Sequence, residues 1–420
     1  MSFETATLES LCELVIDCPH STPKWTDEGI IVLRNQNIKS GVLDLSSPSF
    51  TNEDDYLKRI KRAVPRAGDI VFTREAPMGE VCMVPEGLKC CLGQRQVLLR
   101  PKSDVNGQYL FWALQSPYVQ QQIAWNEGTG STVSNVRIPV LKTLNIPRIA
   151  NEDMIAKSLT DIASKLSLNT QTNQTLEQMA QAIFKSWFVD FDPVKAKMNG
   201  EQPEGMDAAT ALLFPDKLVE SELGLIPEGW EVGDLSDLMD FNPKRTLKKG
   251  TIAPYLDMKN MPTSGHLALD IYDREMGSGT KFKNGDSLLA RITPCLENGK
   301  TAYVDFLEDE QVGWGSTEYI VMRSKSDSYK YFSYYMARFE PFRKFAIQSM
   351  TGTSGRQRAQ AQTVQTMPFA IPPISILEKF DEFVAPNMQM IKSHGSENRT
   401  LSALRDTLLP KLLSGEITLD

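Results

Sequence analysis

The sequence predicts a mixed α/β (α+β) protein built twice: two globular domains with mixed β-sheets, each followed by a long α-helix, the two helices pairing as a coiled coil. Three observations predict it. The chain carries an internal duplication with a period of roughly 220 residues. Two heptad-spaced stretches close the repeated units, and an acidic segment punctuated by proline and glycine separates the halves.

Four landmarks repeat in order. Gly68-Asp69-Ile-Val-Phe-Thr-Arg74-Glu-Ala-Pro77 is echoed by Gly285-Asp286-Ser-Leu-Leu-Ala-Arg291-Ile-Thr-Pro294, a turn feeding an apolar strand with arginine and proline at matching offsets. Tyr109-Leu-Phe-Trp-Ala-Leu before Pro117 is matched by Tyr331-Phe-Ser-Tyr-Tyr-Met before Pro341. A Gly-Thr-rich loop follows in each half, Gly128 to Ser131 and Thr351 to Gly355. Asn145-Ile-Pro147 then answers Ala370-Ile-Pro372. One landmark can arise by chance; four in register argue for duplication.

The closing helices are read from spacing. Ile155, Leu159, Ile162, Leu166, Asn169, Asn173, Leu176, Ala180, Ile183 and Trp187 advance by alternating steps of four and three, as seam positions of a coiled coil do. A shift of 225 residues reaches Phe380, Val384, Asn387, Ile391, His394, Asn398, Leu401, Arg405, Leu408 and Leu412. Asn173 and Asn398 fall in the middle of their seams, where a buried asparagine costs stability but penalises misaligned partners. Asn151 before Glu152 and the Ser375-x-x-Glu378 box mark the expected helix starts. Pro386 predicts a kink or a late start, because proline removes a helical hydrogen bond. The expected organisation is a first domain at 1–150, a helix at 151–190, a connector at 191–227 with at most short helical turns, a second domain at 228–375 and a second helix at 376–415.

Composition narrows the function. At 420 residues, 41% hydrophobic and 23% charged, the chain suits a soluble protein of two or three domains, with no apolar run able to span a membrane and no basic or apolar leader. The cytoplasm is the expected compartment. Six cysteines without CxxC spacing and only three histidines predict reduced, buried thiols and no metal site. The net charge of −8 is unevenly spread: residues 190–240 hold 13 acids against three lysines, which leaves the rest slightly positive. Basic clusters recur in both halves: Lys58, Arg59, Lys61, Arg62 and Arg66; Lys244, Arg245, Lys248 and Lys249; Arg338, Arg343, Lys344, Arg356 and Arg358. Each cluster alone reads equally as a solvated face, and their recurrence turns the balance toward nucleic acid.

Catalytic readings find little. Gly299-Lys300-Thr301 lacks the glycine a phosphate loop needs, since Pro294 stands five residues before Gly299. No adenine-methyltransferase motif of the Asn-Pro-Pro-Phe type occurs. Pro215-Asp216 with Asp257-x-Lys259 matches a nuclease triad only loosely, and the histidines form no hydrolase triad.

Four further segments carry a family resemblance: Asp17-Cys-Pro-His20-Ser-Thr-Pro23, Phe184-Lys-Ser-Trp-Phe188, Ile226-Pro-Glu-Gly-Trp230 and Leu408-Leu-Pro-Lys-Leu-Leu-Ser-Gly-Glu416. With the duplication, the chain resembles the specificity subunits of type I restriction-modification systems over nearly its whole length. The resemblance implies two target-recognition domains, each reading one half of a split double-stranded DNA target, with the two helices packed antiparallel as a spacer. It implies no catalytic residue and no cofactor. It also implies two adenine-N6 methyltransferase (modification) subunits and, through them, restriction (motor-nuclease) subunits as partners. The second half departs from the pattern, for Asp240-Phe-Asn-Pro-Lys244-Arg245 stands where a copy of the Asp17–Pro23 stretch belongs.

Base reading requires paired donors: arginine bridges guanine O6 and N7, and asparagine or glutamine bridges adenine. The expected DNA-contacting residues are Arg74, Ser131, Asn135 and Arg137 in the first half, with Lys244, Arg245, Arg291, Thr353, Arg356, Gln357 and Arg358 in the second. The competing readings are a stand-alone duplicated nuclease or hydrolase and a regulator that binds DNA without partners.

Overall fold

The computed structural model describes residues 3–125, 135–353 and 357–419. Its chain divides into two compact units, residues 1–167 with 399–420 and residues 168–398. Both divisions fall inside long helices, Glu152–Lys185 and Ile374–Leu413, so each helix contributes residues to both units.

The first unit is built on an antiparallel sheet in the order Cys12–Asp17, Gln96–Pro101, Ile70–Thr73, Val81–Met83. All four residues of Ile70–Thr73 are buried, as a strand covered on both faces requires. Ile70 and Phe72 join a core formed with the helix Gly107–Leu114, whereas Val71 joins a second core with Leu33, Ile38 and Cys90. That second core belongs to a mixed sheet, in which Ile30–Leu33 pairs parallel with Cys90–Leu92 and antiparallel with Phe50–Thr51. A two-stranded pair, Glu4–Thr7 with Asn145–Arg148, closes the unit.

The second unit repeats this order. Its central sheet runs Met239–Phe241, Tyr319–Ser324, Ser287–Ala290, Thr301–Tyr303. Leu289 faces the helix-side core, and Leu288 and Ala290 face the other. In its mixed sheet, Ile252–Leu256 pairs parallel with Gly313–Gly315 and antiparallel with Tyr272–Glu275. Glu231–Asp234 pairs with Pro368–Ile371. The duplication predicted from sequence is therefore a duplication of strand order. The outer strand of the mixed sheet is the exception: Trp25–Thr26 extends one edge in the first unit, and Thr280–Phe282 extends the opposite edge in the second.

The Gly-Asp landmark is a turn whose glycine conformation and aspartate-to-backbone bond repeat in both halves. Gly68 and Gly285 stand at φ +85° and +89°, a left-handed conformation that a side chain would strain. The aspartate Oδ2 then accepts from the backbone N–H three residues back, Arg66 at 2.9 Å and Lys283 at 2.8 Å. The same buried carboxylates anchor arginines from the neighbouring strand, Arg100 Nη2 to Asp69 at 2.7 Å and Arg323 Nη1 to Asp286 at 3.1 Å. The Ala76–Pro77 and Thr293–Pro294 bonds are both cis.

Within the second unit the long helices pair antiparallel, because partner numbers fall as the first helix rises. Asn169 Nδ2 donates to Glu397 Oε2 at 2.7 Å and to Asn398 Oδ1 at 2.9 Å, while Asn173 Oδ1 meets His394 Nδ1 at 2.8 Å. Asn173 and Asn398 are thus each satisfied by a polar partner on the other helix, but not by one another. Ile391 is buried, Leu176 and Ile183 are half-buried, and Phe184 packs its ring, tilted or edge-on, among Phe188, Phe332 and Phe380 in the unit's main core. In the first unit, Leu159 is buried with Leu412 and Leu413 in a core that Leu408 flanks, and Ile162, Leu166 and Leu401 are half-buried. The seam positions thus merge into domain cores at both ends, which a helix pair forming a separate rod does not do.

Four local expectations are corrected. Residues 191–227 hold two short helices, Asp192–Met198 and Ala208–Leu212, and then a hairpin, Leu218–Ser221 with Gly224–Pro227, which the proline- and glycine-rich text conceals. The second long helix starts at Ile374, which places Ser375 inside its first turn rather than at its cap. It continues unbroken through Pro386 with no late start, and Pro386 lies on the exposed face. Asn151 does precede the first helix, at φ +63°, yet its side chain donates to the Leu419 carbonyl at 2.9 Å instead of capping.

Candidate nucleic-acid interface

In the first unit the loops at the end of the central sheet converge on Arg74. Its backbone N–H donates to Arg95 O at 2.8 Å and its carbonyl accepts from Val136 N, which ties three segments together. Its guanidinium is largely spent: Nη1 donates to Asp17 Oδ1 and Oδ2 at 2.9 and 3.0 Å, and Nε to Val136 O at 2.9 Å. Asn135 is half-buried, its Oδ1 buried and without a partner among the described residues, and Arg137 is exposed at the start of the helix Ile138–Lys142. Ser131 and the Gly128–Ser131 loop lie outside the described residues.

A contiguous polar surface extends from there. Asp17 also meets His20 Nε2 at 3.1 Å, Gln94 Nε2 donates to His20 O at 2.6 Å, and Arg95 pairs with Glu75 at 3.0 Å. Asn35 Nδ2 donates to Glu75 O. Next to Asn35, Arg34 lies over the exposed ring of Trp25, 5.1 Å from its centroid. A stacked guanidinium keeps its charge and remaining donors available, as single-strand and duplex binders exploit. Sequence reasoning missed Arg34, Trp25 and Arg95, since none lies in a basic cluster. The second unit has its own stacked cation, Arg274, over Tyr255 at 4.8 Å and Trp314 at 5.6 Å.

In the second unit Arg291 holds the equivalent place. Its N–H donates to Glu318 O at 2.9 Å and its carbonyl accepts from Ala359 N at 2.9 Å. Arg358 is fixed by its Nε and Nη2 on Glu318 at 2.8 to 2.9 Å. The Gln357 carbonyl accepts from Thr293 N at 3.1 Å. Thr353 and Lys244 are exposed, and Arg356 lies outside the described residues. Arg245 is turned inward, with Nη2 on Asp286 Oδ1 at 2.8 Å.

Several basic residues turn out to be braces. Arg338 donates to the carbonyls of Thr263, Gly299 and Thr301 at 2.7 to 2.9 Å and to that of Gly265. The buried Arg59 donates to Leu92 O at 3.0 Å and Ser21 O at 3.1 Å. These two leave the clusters read as DNA-facing. Lys300 of the false phosphate loop donates to Met258 O at 2.6 Å, holding a turn. Burial pushes the thiols of Cys12, Cys82 and Cys90 up to about 12, which removes thiolate chemistry near neutrality. Among the described residues no helix is long and apolar enough to cross a membrane.

Residues 2–178 match the model of the type I restriction modification DNA specificity domain. The chain is 26% identical to the HindI specificity subunit of Haemophilus influenzae, over 88% of its own length and 90% of the relative. It is equally 26% identical to the MjaIX specificity subunit of Methanocaldococcus jannaschii, covering 84% and 78%. In fold it resembles the crystal structure of a type I restriction-modification S subunit from M. genitalium, with a TM-score of 0.57 at 16% identity, covering 98% and 96% of the two chains.

Proposed function

We propose that the chain, whose residues 2–178 match the model of the type I restriction modification DNA specificity domain, is the sequence-reading, non-catalytic subunit of a type I restriction-modification complex. The observation that carries the reading is the duplication of strand order and of the Gly-Asp-arginine turn. A split DNA target needs two readers of one design, and an enzyme with one active site does not. The relatives are named as specificity subunits, and no observation favours a hydrolase.

In this reading each unit applies its loop surface to one half of a bipartite duplex target. The exposed cations and hydroxyls, Arg137 in the first unit with Lys244 and Thr353 in the second, touch DNA, together with Ser131, Asn135, Arg356 and Gln357. Arg74, Arg245, Arg291 and Arg358 serve at the same surface, the paired ones chiefly by holding the loops in shape. The long helices, about 50 Å or more at 1.5 Å per residue, set the separation of the half-targets, which must match the phase of a duplex that turns once in about 34 Å. Two methyltransferase subunits supply adenine-N6 chemistry and motor-nuclease subunits join through them, all in the cytoplasm.

The test is to assemble the chain with its methyltransferase partners and map methylated adenines across exposed DNA. One bipartite motif is expected, and exchange of residues 1–150 for a relative's segment should change one half of it only. Methylation at random adenines, or DNA cleavage by the chain alone with magnesium, overturns the proposal.

A further inference from the structure

The arginines at the matching place in the two halves differ in what neutralises them. Arg74 faces the carboxylate of Asp17 at 2.9 Å. Among the described residues Arg291 faces none: its side chain meets the neutral amide of Gln360, at 2.8 Å to Oε1, and its Nε is buried without a described partner. The carboxylate nearest along its hydrogen-bonded loop, Glu318, is already held by Arg358. A half-buried guanidinium without a counter-charge carries a desolvation cost that an anion from outside would offset.

Arg291 opens onto a cleft of about 340 Å³ in the second unit, lined also by Asn242, Arg245, Thr280, Lys281 and Thr317, with no carboxylate among its lining residues. Arg245 shares the carboxylate of Asp286 with Arg323, which also pairs with Asp327 at 3.0 Å. The Lys281 side chain has no hydrogen bond or ion pair among the described residues, although its backbone lies in the strand paired with Gly313–Gly315. It lies on Thr280–Phe282, the edge strand that the first unit's sheet lacks. Three cations, two of them uncompensated, thus meet hydroxyl and amide donors in an open cleft.

We infer that this cleft is a seat for one DNA backbone phosphate, with Lys281 and Arg291 as its cationic ligands, and that the first unit has no equal because Asp17 has taken the anion's place. The inference rests on the DNA-reading function proposed above. A phosphodiester fits better than a base edge, because the donors are point charges and hydroxyls gathered around a concavity rather than one planar fork on a protruding loop. A phosphate contact fixes register without discriminating sequence.

The experiment measures DNA binding by the assembled complex against salt concentration. Losing one phosphate contact lowers the slope of log K against log salt by about 0.9. Lys281→Gln should show that change and weaken binding alike for the cognate duplex and for one altered in the second half-target. Lys283→Gln, two residues away and paired with Glu310 at 2.9 Å, should leave the slope unchanged. Duplexes carrying a single neutral methylphosphonate should reveal one backbone position, within the second half-target, whose substitution weakens wild type but not Lys281→Gln. A slope unchanged in a Lys281→Gln complex that assembles and melts normally overturns the inference. So does a loss confined to one base identity, which means base reading instead, or equal sensitivity to free inorganic phosphate, which means a free-anion site. If the wild-type complex shows no bipartite preference, the functional reading itself has failed, and the two failures are distinguishable.

Discussion

The two halves share their strand order and their Gly-Asp-arginine turn, yet their loop surfaces have parted. Asp69 serves one arginine and Asp286 serves two. Arg74 is neutralised by Asp17, and Arg291 has no carboxylate partner among the described residues. Even the edge strand of the mixed sheet has changed sides. What stayed constant is what holds a domain up; what diverged is the surface that the proposed function assigns to DNA. A protein that must recognise two different half-targets with one architecture is expected to divide its residues this way.

The comparison can be broken most severely at the shared turn. Asp286→Ala leaves Arg245 and Arg323 without the buried carboxylate and should cost about 3–5 kcal/mol, more than Asp69→Ala, which strands Arg100 alone; urea unfolding of each variant checks the order. Equal costs would mean that Arg245 contributes no structure.

A smaller effect sharpens the contrast between the matched arginines. Arg74→Ala should destabilise its unit by roughly 1–3 kcal/mol, since Asp17 and the Val136 carbonyl both lose their donor. Arg291→Gln should change the melting temperature little and weaken DNA binding instead. If both variants melt alike, the charge asymmetry has no energetic meaning.

The helices meet their domains differently as well. Thr160 of the first accepts from Trp112 Nε1 at 3.0 Å, a neutral pair. The second presents Asp381, whose Oδ1 accepts from Tyr331 N at 2.8 Å and whose carboxyl is pushed up to about 6 by burial. A folded value above the unfolded 3.8 means the native state binds the extra proton, so stability falls as pH rises from about 4 to 6 and the penalty is complete above that window. Asp381→Asn should therefore gain on the order of 2 kcal/mol at pH 7 and nothing near pH 3.5; a gain independent of pH refutes the cause. Smallest of all, Asn169→Ala should cost about 1 kcal/mol through the bonds to Glu397 and Asn398, without affecting half-target preference.

What was legible in the sequence had a local signature. A left-handed glycine followed by an aspartate that caps its own turn can be read from four residues, and a seam spaced by threes and fours can be read from thirty. The long-range partners could not be read. Arg245 and Asp286 lie 41 residues apart, Arg358 and Glu318 lie 40 apart, and nothing in either neighbourhood separates a brace from a DNA contact. Arg338, which a basic cluster nominated, holds four carbonyls. Trp25 and Arg34 escaped for the opposite reason: their stacking depends on two strands brought together by Phe50–Thr51. The hairpin at residues 218–227 was hidden because its prolines and glycines look like linker.

The division of the chain has a consequence for biogenesis. The first unit is completed by residues 399–420, whose Leu412 and Leu413 are buried in its core. A ribosome that has released residues 1–167 has therefore made a domain with an open apolar wall, and vectorial folding cannot close it until the whole second unit has been synthesised. The nascent chain must carry that unsealed surface through more than two hundred further residues of elongation, a period in which chaperones or early-binding partner subunits have something to hold.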